Sequence, residues 1–457
     1  MLIIYNFTLF LYKTVIQLAA FFGNEKAKLW VNGRKDIFSQ IATQIDGVTL
    51  SHSVNNIAPP TPKRGNTPLQ PITSNQFPIT NNQYPITIWI HVASLGEFEQ
   101  GRPIIEQLKK ETPQYKIVLT FFSPSGFEIR KNYPLADHIF YLPLDTAQNA
   151  KQFLDLIKPD LAIFVKYEFW YHYLNELNLR HVPTLLVSAI FREKQFSNFS
   201  PYTPYIIRVL KNFAHIFVQD TPSVFLLKKH DLTQVTCVGD TRIDRVVSIA
   251  KEAQSFPFIE QFIGNAPVFI GGSTWQPDEE IIISLFSNEQ FKDWKFIFAP
   301  HDISPKNIDR LENLLPKPVL RYSTLSKLSE QDSSFIIHHS SFLIIDNVGM
   351  LSSIYRYGRI AYIGGGFGYG IHNTLEPIAF GLPVIFGLKY KKFAEAVNLV
   401  TTGGGFSVSN TTDFQRVMND LLLKENYNKA ANAAQDYVQT NQGATEKIIN
   451  FIKNRDK

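Results

Sequence analysis

One cysteine, Cys237, among 457 residues excludes an internal disulfide and any zinc or iron–sulfur site built on several thiolates. It gives mild support to a reducing compartment. The Gly-x-Gly-x-x-Gly fingerprint is absent, which counts against a dinucleotide oxidoreductase. An Asp-x-Asp pair is absent too, so a diphosphate donor bridged by a metal ion is not expected. There is no periodic glycine and no series of long apolar runs, which excludes collagen and a multi-span transporter. Charge of one sign is scarce: 45 Lys and Arg stand against 40 Asp and Glu, a net +5. That is too little to argue for nucleic acid. It suits an anionic surface or a phosphorylated ligand.

What is abundant is aromatic surface, with 37 Phe and 13% aromatic residues overall. Such side chains need a core or an apolar surface to cover them. The length allows two or three domains. Leu2 to Phe22 is long enough to span a bilayer, but Lys13 interrupts it near the middle. With Lys26, Lys28, Arg34 and Lys35 just beyond, it reads as an interfacial helix with a basic collar, residues 1–24. A buried first helix is the alternative. Residues 51–86 are rich in Pro, Asn, Thr and Gln, and repeat Pro-Ile-Thr at Pro71, Pro78 and Pro85. This low-complexity insert cannot bury a core.

An α/β rhythm then begins. Strand-like runs at 86–93, 116–122, 138–142, 161–164, 184–188, 215–219 and 234–238 alternate with helical segments. A second series occupies 267–270, 295–299, 342–345, 360–363 and 383–386. This predicts two Rossmann-like domains with parallel sheets facing across a cleft, residues 25–245 and 246–457. Ligands in such sheets bind beyond the carboxyl ends of strands.

Five strand-to-loop junctions carry candidate chemistry. In the first, Ser94 and Glu97 have the spacing of a capping box, and Glu97 also has the place of a general base at a strand end. In the second, Glu168 lies among aromatics beside Trp170, as a desolvated acid or a helix-start charge. In the third, Arg242 either clamps an anion or pairs with Asp240 or Asp244. In the fourth, Ser273 and Thr274 follow two glycines and either hold phosphate or cap a helix. The fifth is a loop with five glycines in residues 364–370, then His372, Asn373 and Glu376. Its glycines allow close backbone approach to a ligand, and Glu376 is placed to accept hydrogen bonds from ribose hydroxyls.

In this order the junctions resemble the 3-deoxy-D-manno-octulosonic acid (Kdo) transferases. The family's W-x-H-x-x-S-x-G-E is matched by Trp89, His91, Ser94, Gly96 and Glu97, and a following hydroxyl-rich tract by Thr120, Ser123, Ser125 and Gly126. E-x-E-x-W appears as Lys166, Glu168 and Trp170; G-N-x-K-x-D as Gly239, Asp240, Arg242 and Asp244. G-S-T-H-x-x-E-E appears as Gly272, Ser273, Thr274, Trp275, Asp278 and Glu279. G-G-H-N-x-L-E-P appears as Gly370, Ile371, His372, Asn373, Leu375, Glu376 and Pro377. Lys166 replaces a Glu, Trp275 replaces a His, Pro300-His301-Asp302 replaces Pro-Arg-His, and Ser188-Ala189-Ile190 replaces Asn-Ala-Arg.

The resemblance implies a GT-B glycosyltransferase whose last helices, after about residue 425, cross back to the first domain. It implies an inverting transfer of Kdo from CMP-Kdo to the 6′-hydroxyl of a lipid A precursor at the cytoplasmic face of the inner membrane, with no metal or other cofactor. Glu97 and Glu168 would be catalytic. Arg242, Ser273, Thr274, Glu279, His301, Gly368, Gly370, His372, Asn373 and Glu376 would bind the donor, and His91, Ser94 and Ser123 would lie on the acceptor side. Another GT-B enzyme acting on a UDP-sugar, as transferase or epimerase, is the near alternative. A non-catalytic nucleotide-binding protein at the membrane surface is the distant one.

Overall fold

Apolar runs such as Ile88–Val92 and Leu161–Val165 are buried along their whole length, as a parallel strand covered on both faces requires. The computed structural model describes residues 2–46, 86–196, 203–325 and 339–454. The low-complexity insert expected at 51–86 lies, except for Ile86, outside the described residues. The chain divides into two compact units, Met1–Arg242 with Gly443–Lys457, and Ile243–Gln442.

The first unit holds β1 (Thr87–Val92), β2 (Lys116–Phe121), β3 (His138–Tyr141), β4 (Leu161–Val165), β5 (Thr184–Ala189), β6 (His215–Val218) and β7 (Val235–Cys237). They form one parallel sheet in the order β3-β2-β1-β4-β5-β6-β7. The second unit holds β8 (Val268–Thr274), β9 (Lys295–Pro300), β10 (Val319–Arg321), β11 (Phe342–Ile344), β12 (Ile360–Ile363), β13 (Val384–Phe386) and β14 (Gly405–Ser407). Their order is β10-β11-β9-β8-β12-β13-β14, again parallel throughout. Strand order reverses direction between β1 and β4 and between β8 and β12. In doubly wound sheets, the crevice outside the carboxyl ends at that point takes the ligand.

The helix Lys424–Asn441 buries Ala430, Ala434 and Val438 in the second unit. Only the following helix, Ala444–Lys453, joins the first unit, where Ile448, Ile449 and Ile452 complete the core. The crossing is therefore later than the expected residue 425. The first boundary falls at 242/243 instead of 245/246.

The N-terminal segment is one helix, α1 (Leu2–Phe21), followed by α2 (Glu25–Asn32) and α3 (Ile37–Asp46). By length and composition α1 can cross a membrane. One stripe, Tyr5, Leu9, Tyr12 and Ile16, packs on Trp30, Leu144, Phe122 and Trp170. The other face leaves Ile3, Phe7, Phe10, Val15, Leu18 and Phe21 exposed. Arg34 is not part of the expected surface collar. Its guanidinium donates to the carbonyls of Leu142, Trp30 and Phe122 and lies over the Trp30, Phe122 and Tyr141 rings, and burial pulls its pKa down to about 9.

The helix is also tied by buried polar groups. Tyr5 Oη donates to Asp145 Oδ2 at 2.5 Å, while the backbone N–H groups of His172 and Tyr173 donate to the same carboxylate at 3.0 and 2.9 Å. Burial pushes the Asp145 carboxyl up from 3.8 to about 6, although these three donors oppose the shift. A raised native pKa makes folding least costly where the group is protonated in both states. The penalty grows as pH rises from 4 to above 6. The stability of wild type relative to Asp145→Asn should therefore fall by about 2 kcal/mol between pH 4 and pH 7. Denaturant unfolding at several pH values measures this, and a difference that stays constant with pH would refute it.

Candidate active site

In the first unit the candidate residues gather beyond β1 and β4. His91 on β1 pairs in register with Phe164 on β4 and is fully buried. Trp89 Nε1–H donates to Thr120 Oγ1 at 2.8 Å, which leaves the Thr120 hydroxyl hydrogen free for His91 Nδ1 at 2.9 Å. That chain of donors assigns the imidazole proton to Nε2, 3.1 Å from Glu168 Oε2. Trp170 Nε1 lies 3.0 Å from His91 Nε2 and 2.6 Å from the same carboxylate oxygen, so its N–H is directed to Glu168. Glu168 thus accepts two hydrogen bonds in a nearly enclosed position. It precedes Trp170, the N-cap of the helix Tyr171–Leu179, and is not the cap itself.

Ser94 is the N-cap of α4 (Leu95–Glu111), but its side chain makes no cap hydrogen bond. Its hydroxyl donates instead to Glu97 Oε2. The reciprocal capping box that the spacing allows is not formed, and the half-buried Glu97 carboxylate is oriented by a hydroxyl. Ser123 stands beside this turn. Its backbone N–H bonds Ala93 at 2.7 Å and its hydroxyl lies 2.9 Å from that of Ser125. Lys166 at the end of β4, Ser188 in β5 and Ser273 in β8 adopt left-handed φ values of 67°, 56° and 52°. Non-glycine residues held this way cost about 1–3 kcal/mol each and cluster at functional sites.

In the second unit a cavity of about 340 Å³ opens beyond β8 and β12, lined among others by Ser273, His301, Tyr355, His372, Asn373 and Glu376. Trp275 and His301 stack with centroids 4.7 Å apart, and His301 and His372 at 4.4 Å. Trp275 Nε1–H donates to His372 Nε2 at 3.1 Å, and Asn373 Nδ2 donates to Glu376 Oε1 at 3.0 Å.

Thr274 and Glu279 do not line this cavity. Both are fully buried, Thr274 Oγ1 donates to Glu279 Oε1 at 3.0 Å, and Arg310 donates to the other oxygen. The Trp275 N–H is taken by Asp278 Oδ2 at 2.9 Å. The helices behind the two loops, Gln276–Ile282 and Leu375–Ile378, have only seven and four residues. The turn therefore offers a phosphate fewer free donors than its sequence implies.

The glycine loop is in good part a packing device. A Cβ on Gly364 would lie 2.1 Å from the Ser273 carbonyl oxygen, and one on Gly366 would lie 2.5 Å from the backbone of Gly387. Gly368 and Gly370 are in this loop but do not line the cavity; the Gly368 carbonyl accepts from Lys389 Nζ at 2.5 Å. Arg242 belongs to the first unit and takes the pairing alternative, donating to Asp240 Oδ2 through Nε at 2.9 Å and Nη2 at 2.6 Å.

Two contributors escape the sequence reading. Tyr355 lines the cavity from a short helix that lies outside the five strand-to-loop junctions. Asp278 accepts from the N–H groups of Trp275 and Gly365 and from Tyr362 Oη at 3.0 Å, clamping the turn after β8 to the loop after β12. An acid three residues past the N-cap signals a capping box, and the longer reach to Gly365 has no local signature.

Two parallel seven-stranded units with candidate sites at their reversal points define a GT-B-type α/β protein. Solved structures share that fold. UDP-GlcNAc 2-epimerase from Neisseria meningitidis bound to UDP-GlcNAc matches with a TM-score of 0.55 at 14% identity, over 81% of this chain and all (100%) of that one. A putative UDP-N-acetylglucosamine 2-epimerase from Listeria monocytogenes matches at 0.56 and 13%, over 81% and 96%. At such identities they show fold alone. The sequence is more specific. Residues 63–245 match the family model described as 3-deoxy-D-manno-octulosonic-acid transferase (kdotransferase). The 3-deoxy-D-manno-octulosonic acid transferase of Haemophilus influenzae is 26% identical over 380 residues, 80% of this chain and 86% of that protein. Its counterpart in Aquifex aeolicus is 28% identical over 341 residues, 73% and 86%. These matches support assigning this chain to the Kdo transferase family, as a glycosyltransferase of lipopolysaccharide biosynthesis.

Removing the Asp278 carboxylate strands three donors in a buried setting. Asp278→Ala should lower the stability of the second unit by about 3–5 kcal/mol, as measured by urea unfolding. A loss below 1 kcal/mol would show that the clamp is dispensable.

Proposed function

We propose that the chain transfers Kdo from CMP-Kdo to the 6′-hydroxyl of a lipid A precursor, with inversion at the anomeric carbon. Assignment to the family supports the reaction class. The observation that carries the mechanism is the Glu97 carboxylate, held at the carboxyl end of β1 by the Ser94 hydroxyl and not used as a helix cap. Glu97 takes the proton of the acceptor hydroxyl as that oxygen forms its bond to the anomeric carbon and the bond to the CMP phosphate breaks. The electron pair leaves with CMP. Glu168, fixed by His91 and Trp170 beyond the neighbouring strand, supplies negative charge toward the cationic character that develops at that carbon. The Ser273, His372, Asn373 and Glu376 cavity takes the nucleotide. CMP leaves as a monophosphate, with less charge to neutralise than a diphosphate, and no metal ion is given a role.

Glu97→Gln, with its fold verified by circular dichroism, should lower Kdo transfer about 10²–10⁴-fold in a mass-spectrometric assay with CMP-Kdo and a lipid A precursor. Near wild-type transfer would reject Glu97 as the base. Binding of UDP in preference to CMP would favour the UDP-sugar alternative.

The place of action is the cytoplasmic face of the inner membrane, with the exposed face of α1 lying in the bilayer interface. The outward row of Phe7, Phe10 and Val15 beside a docked inner stripe supports this. A Phe7→Glu/Phe10→Glu/Val15→Glu variant leaves the docked stripe intact and should lose flotation with anionic liposomes. Unchanged flotation would refute the interfacial role.

A further inference from the structure

The cavity beyond β8 and β12 has an electrostatic peculiarity. Among the described residues its lining contains no Lys or Arg, and it includes the carboxyl group of Glu376. Within this lining an anion meets one carboxyl group and no Lys or Arg side chain. The side chains in the lining that can become cationic are the two imidazoles, His301 and His372.

Their surroundings differ. His372 is half-buried, and its Nε2 accepts the indole N–H of Trp275, which fixes a neutral ring with its proton on Nδ1. Burial, and then the neighbouring His301, hold its pKa below the ordinary imidazole value. His301 is exposed, and its ring stacks on the Trp275 indole at 4.7 Å with an interplanar angle of 28°. A cation over an indole face is favoured by the ring's quadrupole. The groups that face His301 are His372, stacked at 4.4 Å, Asp302 next in sequence, and Glu376 in the same lining. Asp302 is held by the Ser304 N–H and hydroxyl, and the Glu279–Arg310 pair lies behind Thr274. Two adjacent imidazoles disfavour a second charge.

We propose that this cavity binds the phosphate of the nucleotide through His301 in its imidazolium form, and that binding takes up one proton from solvent, with His372 contributing a neutral N–H donor. The inference rests on the nucleotide-site reading above and adds the source of the positive charge. Imidazole changes charge between about pH 5 and 8, and carboxylic acids as a class ionise below that window, so affinity rises as pH falls.

The probe is the methyl ester of cytidine 5′-phosphate. As a diester it keeps one negative charge across the range, and its own titration does not intrude. Isothermal titration calorimetry with the full chain, from pH 6 to 8.5 in two buffers of different ionisation enthalpy, reads both affinity and protons exchanged. Affinity should weaken about tenfold per unit above pH 7.5, with proton uptake approaching one per ligand. His301→Gln should abolish the uptake and flatten the pH dependence at the weak limit. His301→Arg, which installs a permanent cation, should bind at pH 8.5 as tightly as wild type does at pH 6, with no uptake. Wild-type binding without pH dependence or proton uptake overturns the inference and leaves the nucleotide site standing, as does uptake that survives in His301→Gln. No binding at any pH in wild type and His301→Arg overturns the cytidine reading and this inference with it.

Discussion

A parallel strand cannot be followed directly by its neighbour; the chain must return along the outside of the sheet before pairing again. That constraint organises this protein. It makes both faces of each sheet apolar, as the buried runs of β1 and β4 show, and it puts every strand-to-helix turn at one edge. Where the winding reverses, between β1 and β4 and between β8 and β12, neighbouring turns diverge and leave room. Glu97 and Glu168 stand at the first such place, Ser273 and the glycine loop at the second. The chemistry follows from topology before any particular side chain is chosen.

Within those gaps, position is set by buried polar chains. Trp89, Thr120, His91, Glu168 and Trp170 hand hydrogen bonds from one strand to the next and leave a carboxylate fixed at the end. In the second unit Asp278 and Glu279 do the comparable work for backbone: one joins two loops, the other fixes Thr274 against Arg310. Such networks rigidify when every member is satisfied. They also explain why motif residues divide into those that face a ligand and those that hold the first group still. Thr274 and Glu279 are of the second kind, whereas His301 and His372 line the cavity.

Most of the architecture was legible because central parallel strands are long and continuously apolar. The strands missed, β10 and β14, are three-residue strands at the two edges of the second sheet, each paired on one side and too short for a pattern. The site was legible where its residues share one turn, as with Ser94 and Glu97. Spacing could not tell whether that pair would cap the helix or bond each other, because both use the same separation. Arg242 had an anion and a neighbouring acid open to it and took Asp240. Arg34 read as surface charge but turned inward to carbonyls and rings from distant segments. Tyr355 and the reach of Asp278 to Gly365 depend on contacts some ninety residues apart, which no local window contains.

The last helix, Ala444–Lys453, carries a consequence for how the chain comes into being. Its isoleucines fill the core beneath α4, and Phe451 lies against Phe217 and His215. The whole second unit, residues 243–442, is made between that helix and the rest of its core. At about 5–20 residues per second, the first unit waits roughly 10–40 s after Arg242 leaves the ribosome before its last wall is available. During that interval an apolar groove of the nascent unit stands open to whatever escorts it, and the second unit can fold before the first is finished.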